Sequence, residues 1–352
     1  MAETYVYAGA GMWRGGSRSG VFRMKLGPGD LGGGFAQMTA GLPEKTSVHT
    51  ITVHPLHPER VFIGTQDGPY LSEDHGATWR RPDFPDHVQI WSFLVHPHQP
   101  ETIYAGGSPV SIYRSEDGGA HWQRLAQPVL AEHVKMPFAC RVMRIALDPQ
   151  APRNLYATIE VNGVMRSRDG GESWSDCNAG LLRLAENPKL KSNLGSGSEA
   201  EGMLDGHALC TSDAAPGAVF LACRMGLFRS DDGAQSWQDI EVGRFSPLTY
   251  ARDIRPAPQD PRRLYACLSV HATGDTGSLA RSDDTGQSWR RIDHGVPIRA
   301  TFMQLALHAR DADQVYGAAR NGQIVGTQDA GKTWHEYRLP QGCEDVYGIA
   351  CG

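Results

Sequence analysis

The chain has 352 residues, of which 21% are charged and 40% hydrophobic, and its formal net charge is −5. This mixed and slightly acidic charge argues against general nucleic-acid binding, which needs a basic surface. No apolar run approaches the roughly 18 residues of a membrane-spanning helix, so we expect no membrane partner.

The first predicted strands lie close to the N-terminus. Residues 5–9 and 20–23 match the second and third strands of a four-strand unit that recurs downstream. The missing first strand of this unit is expected at the C-terminus, because residues 346–350 match residues 48–52. We therefore predict that residues 345–351 complete the first unit, since a ring closed by both chain ends has no open sheet edge. A first strand near Thr4 leaves no room for a secretory signal, so we expect a cytoplasmic protein.

The second unit shows the full order of elements. Strand 49–53 is followed by a bend at 54–58 rich in Pro and His, by strands 61–64 and 69–71, and by a polar turn ending in Trp79. The same order restarts at residues 91 and 143. Alternating apolar residues between Gly and Pro are typical of strands, and no stretch shows a sustained helical period.

An eight-residue segment with Ser or Thr first, Asp third and Trp last occurs six times, at 72–79, 115–122, 167–174, 230–237, 282–289 and 327–334. The Asp carboxylate is expected to accept hydrogen bonds from its own turn, and Gly to take a positive φ. We expect the six Trp side chains to be buried against the strands. One copy has Gly233 and Ala234 where the others carry Gly one position later, and we expect a distorted turn there.

A unit of about 43 residues with inserted loops indicates a propeller or a solenoid. Seven such units use up the chain, leaving no room for a second domain. We therefore predict an all-β fold in which residues 1–352 form a single domain. It is expected to be a seven-bladed β-propeller of four-stranded antiparallel blades, with the eight-residue segment in six blades.

The eight-residue segment matches the Asp box, so the chain resembles the Asp-box (BNR-repeat) β-propellers. This group includes sialidases, xyloglucan-cleaving glycosidases, the sortilin ectodomain and Ycf48-type photosystem assembly factors. The resemblance implies the propeller fold but leaves function open, because the group contains both hydrolases and binding proteins. Sialidase chemistry is not expected, since the Arg-Ile-Pro motif of those relatives does not occur near the N-terminus.

The irregular insertions predict which face of the propeller carries function. The Pro-rich bends and the boxes should share one face, and these segments are short and repetitive. The opposite face should hold the insertions at 125–141, 176–206 and 270–278, and long irregular loops in a compact domain are usually functional. These links between blades also contribute Arg141, Glu201 and Asp205.

Alignment of the seven first strands gives two columns that differ between units, whereas the next column stays apolar. The first column contains His49, Trp91, Met143, His207, Arg252, Met303 and Tyr347. The second contains Thr50, Ser92, Arg144, Ala208, Asp253, Gln304 and Gly348. Such a mixture of aromatic, cationic and carboxylate groups is typical of a small-molecule pocket.

These residues favour a hydrolase or lyase that acts on a small anionic or polyhydroxylated molecule at the channel mouth. Arginines would hold the anionic group, and His or Glu would transfer protons. The candidate acid–base residues are His49, His207, Glu160 and His133. The candidate substrate-binding residues are Arg144, Arg252, Arg224, Arg320, Trp91, Met143, Tyr347, Asp253 and Gln66.

Three other interpretations stay open. The chain would be a non-catalytic protein-binding or assembly-factor propeller if the same face docks a partner. The arginines would be interblade salt bridges and the histidines ordinary wall residues if the columns are structural. No cofactor is required by the sequence, but a divalent metal would find nitrogen and oxygen ligands in Glu160 and the histidines. The candidate metal ligands are His87, His133, His207 and His271.

The seven cysteines form no metal-binding pair spacing, and we expect them to be reduced. Four of them, Cys210, Cys223, Cys267 and Cys351, fall in predicted strands and should be buried.

Overall fold

The computed structural model describes residues 4–12, 16–27, 33–130, 136–191 and 198–352. It is a seven-bladed β-propeller, as predicted. The innermost strands of blades 1 to 7 are, in that order, Asp345–Cys351, Val48–Val53, Gln89–Val95, Val142–Asp148, Gly206–Ser212, Tyr250–Ala257 and Phe302–Leu307. Each innermost strand packs against that of the next blade, and the last packs back on the first, so the ring is closed.

The second strands of the blades are Thr4–Gly11, Val61–Thr65, Ile103–Ser108, Ala151–Ile159, Ala215–Cys223, Asp260–Ser269 and Val315–Ala319. The third strands are Gly20–Leu26, Gly68–Ser72, Ser111–Ser115, Gly163–Ser167, Gly226–Ser230, Gly277–Ser282 and Gln323–Thr327. The outermost strands are Ala36–Met38, Gln123–Arg124, Ser175–Asp176, Gln238–Asp239, Arg290–Arg291 and His335–Arg338. Within the described residues blade 2 has three strands, and a single bridge between Leu71 and Arg80 replaces its fourth.

Blade 1 is built from both ends of the chain. The C-terminal strand Asp345–Cys351 pairs antiparallel with Thr4–Gly11, and the sheet order places it innermost. The backbones of Tyr5 and Gly352 extend this ladder by donating to each other at 2.8 and 3.0 Å. The predicted closure by residues 345–351 is therefore confirmed.

The insertion at 176–206 contains two helices that the sequence did not predict. Ala179–Ala185 and Glu199–Leu204 are seven and six residues long, too short for a periodic pattern to be recognised. Leu181 and Met203 from these helices pack against Trp237 between blades 4 and 5. A 3-10 turn at Val242–Arg244 lies in the following link. No helix in the described ranges has the length and apolarity required to cross a membrane.

The apolar core is divided into seven clusters, each between two neighbouring blades. The cluster between blades 1 and 2, for example, joins Tyr7 to Val48 and Ile63. Cys210, Cys223, Cys267 and Cys351 are buried in these strands, as predicted, and all seven cysteines are free thiols. Because the clusters lie between blades, the central channel is left to the variable columns.

The six boxes form one hydrogen-bond pattern. The first Ser or Thr hydroxyl donates to the Asp carboxylate at 2.7 or 2.8 Å and accepts from the backbone N–H of the fifth residue. The expected distortion at Ala234 is wrong: its N–H makes this bond at 2.8 Å, and its φ of 68° matches the left-handed glycines of the other boxes. Burial of the box Trp side chains is only partly as expected, because Trp79 and Trp237 are buried whereas Trp122, Trp174, Trp289 and Trp334 are half-buried.

The boxes and the bends share one face of the propeller. In each box blade a backbone N–H of the box donates to a carbonyl of the bend between the first two strands or of the first residues of the second strand, as from His75 to Glu59 at 2.9 Å. On the opposite face the loops between second and third strands bond to the incoming links, as from Glu160 to Arg141 at 2.9 Å. We call the face with the boxes and bends the box face, and the opposite face, with the links between blades, the link face.

Deleting residues 345–352 should remove the innermost strand of blade 1 and open the ring. A loss of several kcal/mol in the free energy of unfolding should lower the melting temperature by roughly 10 °C or more. Calorimetry checks this, and a synthetic peptide of residues 343–352 should restore part of the loss. A truncated chain that melts like the full-length protein would contradict the closure.

The Asp232 box predicts an acid-sensitive contribution to stability. Burial acts to raise the pKa of Asp232, but hydrogen bonds from Ser236 and Ser230 outweigh it and lower that pKa to about 2. The pKa is depressed in the fold, so the contribution is present above pH 3.8 and is lost as pH falls through about 2. Urea unfolding of wild type and Asp232→Asn should therefore differ at pH 5 and converge near pH 2. A difference that does not depend on pH would refute this.

Candidate functional site at the link face

Every residue of the first variable column lies at a β-bulge. In each innermost strand the pairing skips one residue near the link-face end, for example between Val142 and Arg144. The skipped residues are His49, Trp91, Met143, His207, Arg252, Met303 and Tyr347. A bulge adds a residue that has no ladder partner and re-aims its side chain. The fold therefore presents seven re-aimed side chains around one end of the channel.

Aromatic side chains from different blades meet across this end of the channel. The His49 ring is stacked on Trp91, with 3.9 Å between centroids and 10° between planes. Tyr347 lies edge-on to Trp91 at 5.9 Å, although blade 2 lies between their strands in the ring. The Arg141 guanidinium lies 4.1 Å from the Trp91 ring centre. Burial is the main cause that lowers the pKa of His49 to about 3, so this ring is neutral and serves as a packed wall.

Glu160 is the carboxyl group best placed for proton transfer. Its Oε1 accepts from Arg141 at 3.2 Å, while Oε2 is buried and has no hydrogen-bond partner among the described residues. The side chain is 17% exposed, so it still reaches the solvent. Burial raises the pKa of Glu160 to about 7, with Arg141 opposing this rise and Asp205 adding to it. A carboxyl that titrates near neutral pH can act as an acid or a base.

Asp205 is held as a carboxylate by its neighbours. Arg224 donates to its Oδ2 from Nε at 2.9 Å, and Nη2 of Arg224 lies 2.8 Å from the same oxygen. Arg224 also donates to Glu201 at 3.0 Å. Burial would raise the pKa of Asp205, but His207 in its protonated form and Arg224 outweigh it and hold that pKa below its usual range. Environments that push two nearby carboxyl pKa values apart are typical of acid–base sites.

The contacts of His207 fix its tautomer. Nδ1 lies 2.7 Å from the Ala251 carbonyl oxygen, which can only accept, so Nδ1 carries the proton. Nε2 is then free to accept from the Tyr250 hydroxyl at 3.3 Å, and Asp205 lies 3.4 Å away. Burial is the first cause that lowers the pKa of His207, and Arg252 adds to it. The neutral ring is therefore favoured, and its Nε2 orients the Tyr250 hydroxyl.

Two further arginines stand at the same end of the channel. Arg252 is half-buried, and its Nε has no hydrogen-bond partner among the residues that the structure describes. Arg320 donates to the Met303 sulfur at 3.5 Å and lies 6.0 Å from the Tyr347 ring centre. Burial acts to lower the pKa of Arg252, but Tyr250 and Asp205 outweigh it, so this side chain stays charged. Arginines in this setting are suited to hold an anionic group.

Arg144 and Asp253, which were expected at the mouth, lie deeper in the channel. They bond to each other at 2.9 Å between blades 4 and 6. Asp253 is fully buried and also accepts from Arg255 at 2.8 Å and from the Leu305 N–H at 2.9 Å. The Arg144 side chain lines a cavity that extends towards the box face, so it stands apart from the link-face cluster, and its role in substrate binding stays a prediction.

The other predicted residues do not join this cluster through a described contact. Gln66 uses its amide to bind Ser47 and Lys45 of its own link. His87 is exposed, His271 accepts from Thr273 at 3.3 Å, and Met143 is half-buried. His133 lies outside the described residues.

No metal site is assembled among the candidate ligands that the structure describes, His87, His207 and His271. Within the described ranges no three His, Cys, Asp or Glu side chains are arranged to hold a metal ion. The site instead gains Tyr250, which the sequence analysis did not select. The sequence gives little signal for this residue, since it lies two positions before Arg252 and outside both variable columns.

Comparisons with known proteins support the fold. No family model matches the chain. An oligoxyloglucan-reducing end-specific xyloglucanase from Emericella nidulans is 29% identical over 115 residues, which cover 30% of this chain and only 14% of that enzyme. A GH74 enzyme from Niastella koreensis superposes with a TM-score of 0.58 at 13% identity, over 87% of this chain and 47% of that one. YCF48 from Cyanidioschyzon merolae superposes with a TM-score of 0.54 at 17% identity, over 87% of this chain and 88% of that one.

The structure predicts that Glu160 titrates close to neutral pH. Infrared spectroscopy should show a protonated-carboxyl band that disappears around pH 7 in wild type and is missing in Glu160→Gln. The pKa is raised in the fold, so the stability that protonation contributes is present below pH 4.5 and is lost as pH rises through about 7. The substitution should flatten the pH dependence of unfolding in that window. A band that titrates near pH 4.5 would show that the site does not shift the pKa of Glu160.

Proposed function

We propose that this protein is a hydrolase or lyase that acts on a small anionic, polyhydroxylated molecule at the link face. The observation that carries the proposal is the placement of Glu160. Its Oε2 has no hydrogen-bond partner within the described part of the chain, and the surrounding groups are arginines and aromatic rings. A partly exposed carboxyl that titrates near neutral pH can exchange a proton with a substrate atom.

The charges around Glu160 support an anionic substrate. Arg224 is neutralised by Asp205 and Glu201, and Arg141 faces Glu160. When Glu160 is protonated, its pair with Arg141 carries a net positive charge. Arg252 and Arg320 add two more cations at this end of the channel. A carboxylate, sulfate or phosphate on the substrate would be attracted by this surplus.

The aromatic layer supports a sugar-like or ring-shaped substrate body. Trp91 and Tyr347 close the end of the channel next to Glu160 and Arg141. Glycoside hydrolysis uses an acid carboxyl and a second carboxylate on the two sides of the scissile bond. Glu160 would provide the acid carboxyl and Asp205 the second carboxylate. Similarity to GH74 propellers favours glycoside hydrolysis over other hydrolase or lyase reactions. The similarity covers less than half of those enzymes, so the substrate is inferred from the site.

A non-catalytic binding propeller is the second candidate. It is favoured by the match to YCF48, which covers 88% of the YCF48 chain, whereas the match to the GH74 enzyme covers 47% of that enzyme. A second YCF48 structure, solved with a D1 peptide bound, superposes with a TM-score of 0.51 at 17% identity. Phe138 and Val129 flank the link-face site with 44% and 84% exposure, as a docking surface would require.

Turnover assays separate the two candidates. Purified protein is incubated with xyloglucan oligosaccharides and with uronate-bearing and sulfated disaccharides, and products are identified by mass spectrometry. Glu160→Gln should lower kcat by about 100-fold or more, the usual contribution of a positioned acid or base. Glu101→Gln, a matched change of a glutamate bonded to Arg60 near the bends, should leave kcat unchanged. Equal turnover by Glu160→Gln would refute the proposed role, and lack of turnover of every substrate would favour the binding propeller.

Arg252 tests the anionic part of the proposal. Arg252→Gln should raise KM for an anionic substrate by about tenfold while changing kcat less, because it removes binding shared by ground and transition states. Kinetics on an uncharged analogue provide the control, since that KM should stay the same. An equal loss on both substrates would mean that Arg252 is structural.

A further inference from the structure

The central channel contains a second cavity, on the side away from Glu160. Its volume is about 510 Å³, which lies within the range of small-molecule sites. It extends from Arg144 to the bends of the box face, where the exposed residues Asp213 and Arg310 line its outer rim. Neither His49, His207, Arg252 nor Glu160 is among its lining residues. The cavity is therefore distinct from the link-face site.

The inner end of the cavity carries two arginines and one carboxylate. Asp253 accepts from Arg144 at 2.9 Å, from Arg255 at 2.8 Å, and from the Ile254 and Leu305 N–H groups at 3.0 and 2.9 Å. Four donors saturate this carboxylate, which is completely buried. The Asp253 carboxylate therefore has no acceptor site left for a ligand. Its single negative charge balances only one of the two positive charges of Arg144 and Arg255.

The arginines keep donors that the protein does not use. A guanidinium has five N–H groups, and the described residues accept only from Nη2 of Arg144 and Nε of Arg255. Both side chains line the cavity and are partly exposed, at 17% and 24%. Burial lowers the pKa of Arg144 to about 10, with Asp253 opposing it, so the group remains charged at neutral pH. One positive charge and several donors thus face the cavity.

The walls of the cavity are mostly apolar. Ile51, Leu147 and Leu209 are among the aliphatic side chains that line it, together with prolines of the bends such as Pro97 and Pro149. At the rim Arg310 and Asp213 contribute one charge of each sign. A ligand that fits would have a single anionic group at one end and an apolar body behind it.

We propose that this cavity binds a small apolar monocarboxylate whose carboxylate meets Arg144 and Arg255 and whose hydrocarbon body fills the channel towards the bends. Carboxylate binding by arginine combines charge with directed hydrogen bonds, and the apolar walls add burial of the body. The site does not depend on the function proposed for Glu160. The two faces of the channel would thus carry two separate ligand sites.

The test uses 4-phenylbutyrate as the probe and its neutral amide as the matched ligand control. Calorimetric titration of the full chain should show one saturable site for the carboxylate and at least about tenfold weaker binding of the amide. Arg255→Gln should weaken carboxylate binding by about tenfold or more, and Arg255→Lys should restore part of it because the charge returns. Melting temperatures of both variants establish that they fold.

Arg320→Gln distinguishes the two ends of the channel. This variant removes an arginine of the link face and should leave 4-phenylbutyrate binding unchanged. Absence of saturable binding, equal affinity for acid and amide, or loss of binding in Arg320→Gln but not in Arg255→Gln would each overturn the proposal. Turnover by Glu160 is measured separately, so failure of one site is distinguishable from failure of the other.

Discussion

The β-bulge near the start of each innermost strand is the constraint on which the rest of the structure depends. The strands must be regular enough to pack into a ring, yet each one carries one residue that its ladder does not pair. That residue can vary without breaking the sheet, because no cross-strand partner restricts it. Seven bulges at the same height therefore create one variable layer inside an otherwise repetitive fold, and this layer contains His49, His207 and Arg252.

In three blades the residue after the bulge has a different task, because its side chain joins neighbouring innermost strands, which do not pair with each other as a sheet. Ser92 donates to the Val142 carbonyl at 2.8 Å, Gln304 accepts from the Ile349 N–H at 2.9 Å, and Asp253 accepts from the Leu305 N–H at 2.9 Å. The channel differs in character on the two sides of these residues. The link-face part is polar and aromatic, and the box-face part is an apolar cavity with arginines at its inner end.

The repeat made the fold predictable from sequence, including the exchange of residues 345–351 into blade 1. The first variable column was also predictable, because a position that differs between otherwise similar units is visible without a structure. The direction of the next side chain was not predictable, since the bulge shifts the alternation of the strand, and the structure shows Arg144 lining the cavity that extends towards the box face. The helices at 179–185 and 199–204 escaped because they are stabilised by packing against Trp237 rather than by their own periodicity.

The claim that the link-face site carries the chemistry is tested most directly by a crystal structure of Glu160→Gln soaked with a substrate that wild type turns over. The substitution keeps the shape of the site while removing its titratable group, so the substrate should remain bound. The account predicts that the reacting bond lies within hydrogen-bond distance of residue 160 and that the anionic group meets Arg252 or Arg320. Substrate bound only at the box face, or on the outer surface of a blade, would contradict it.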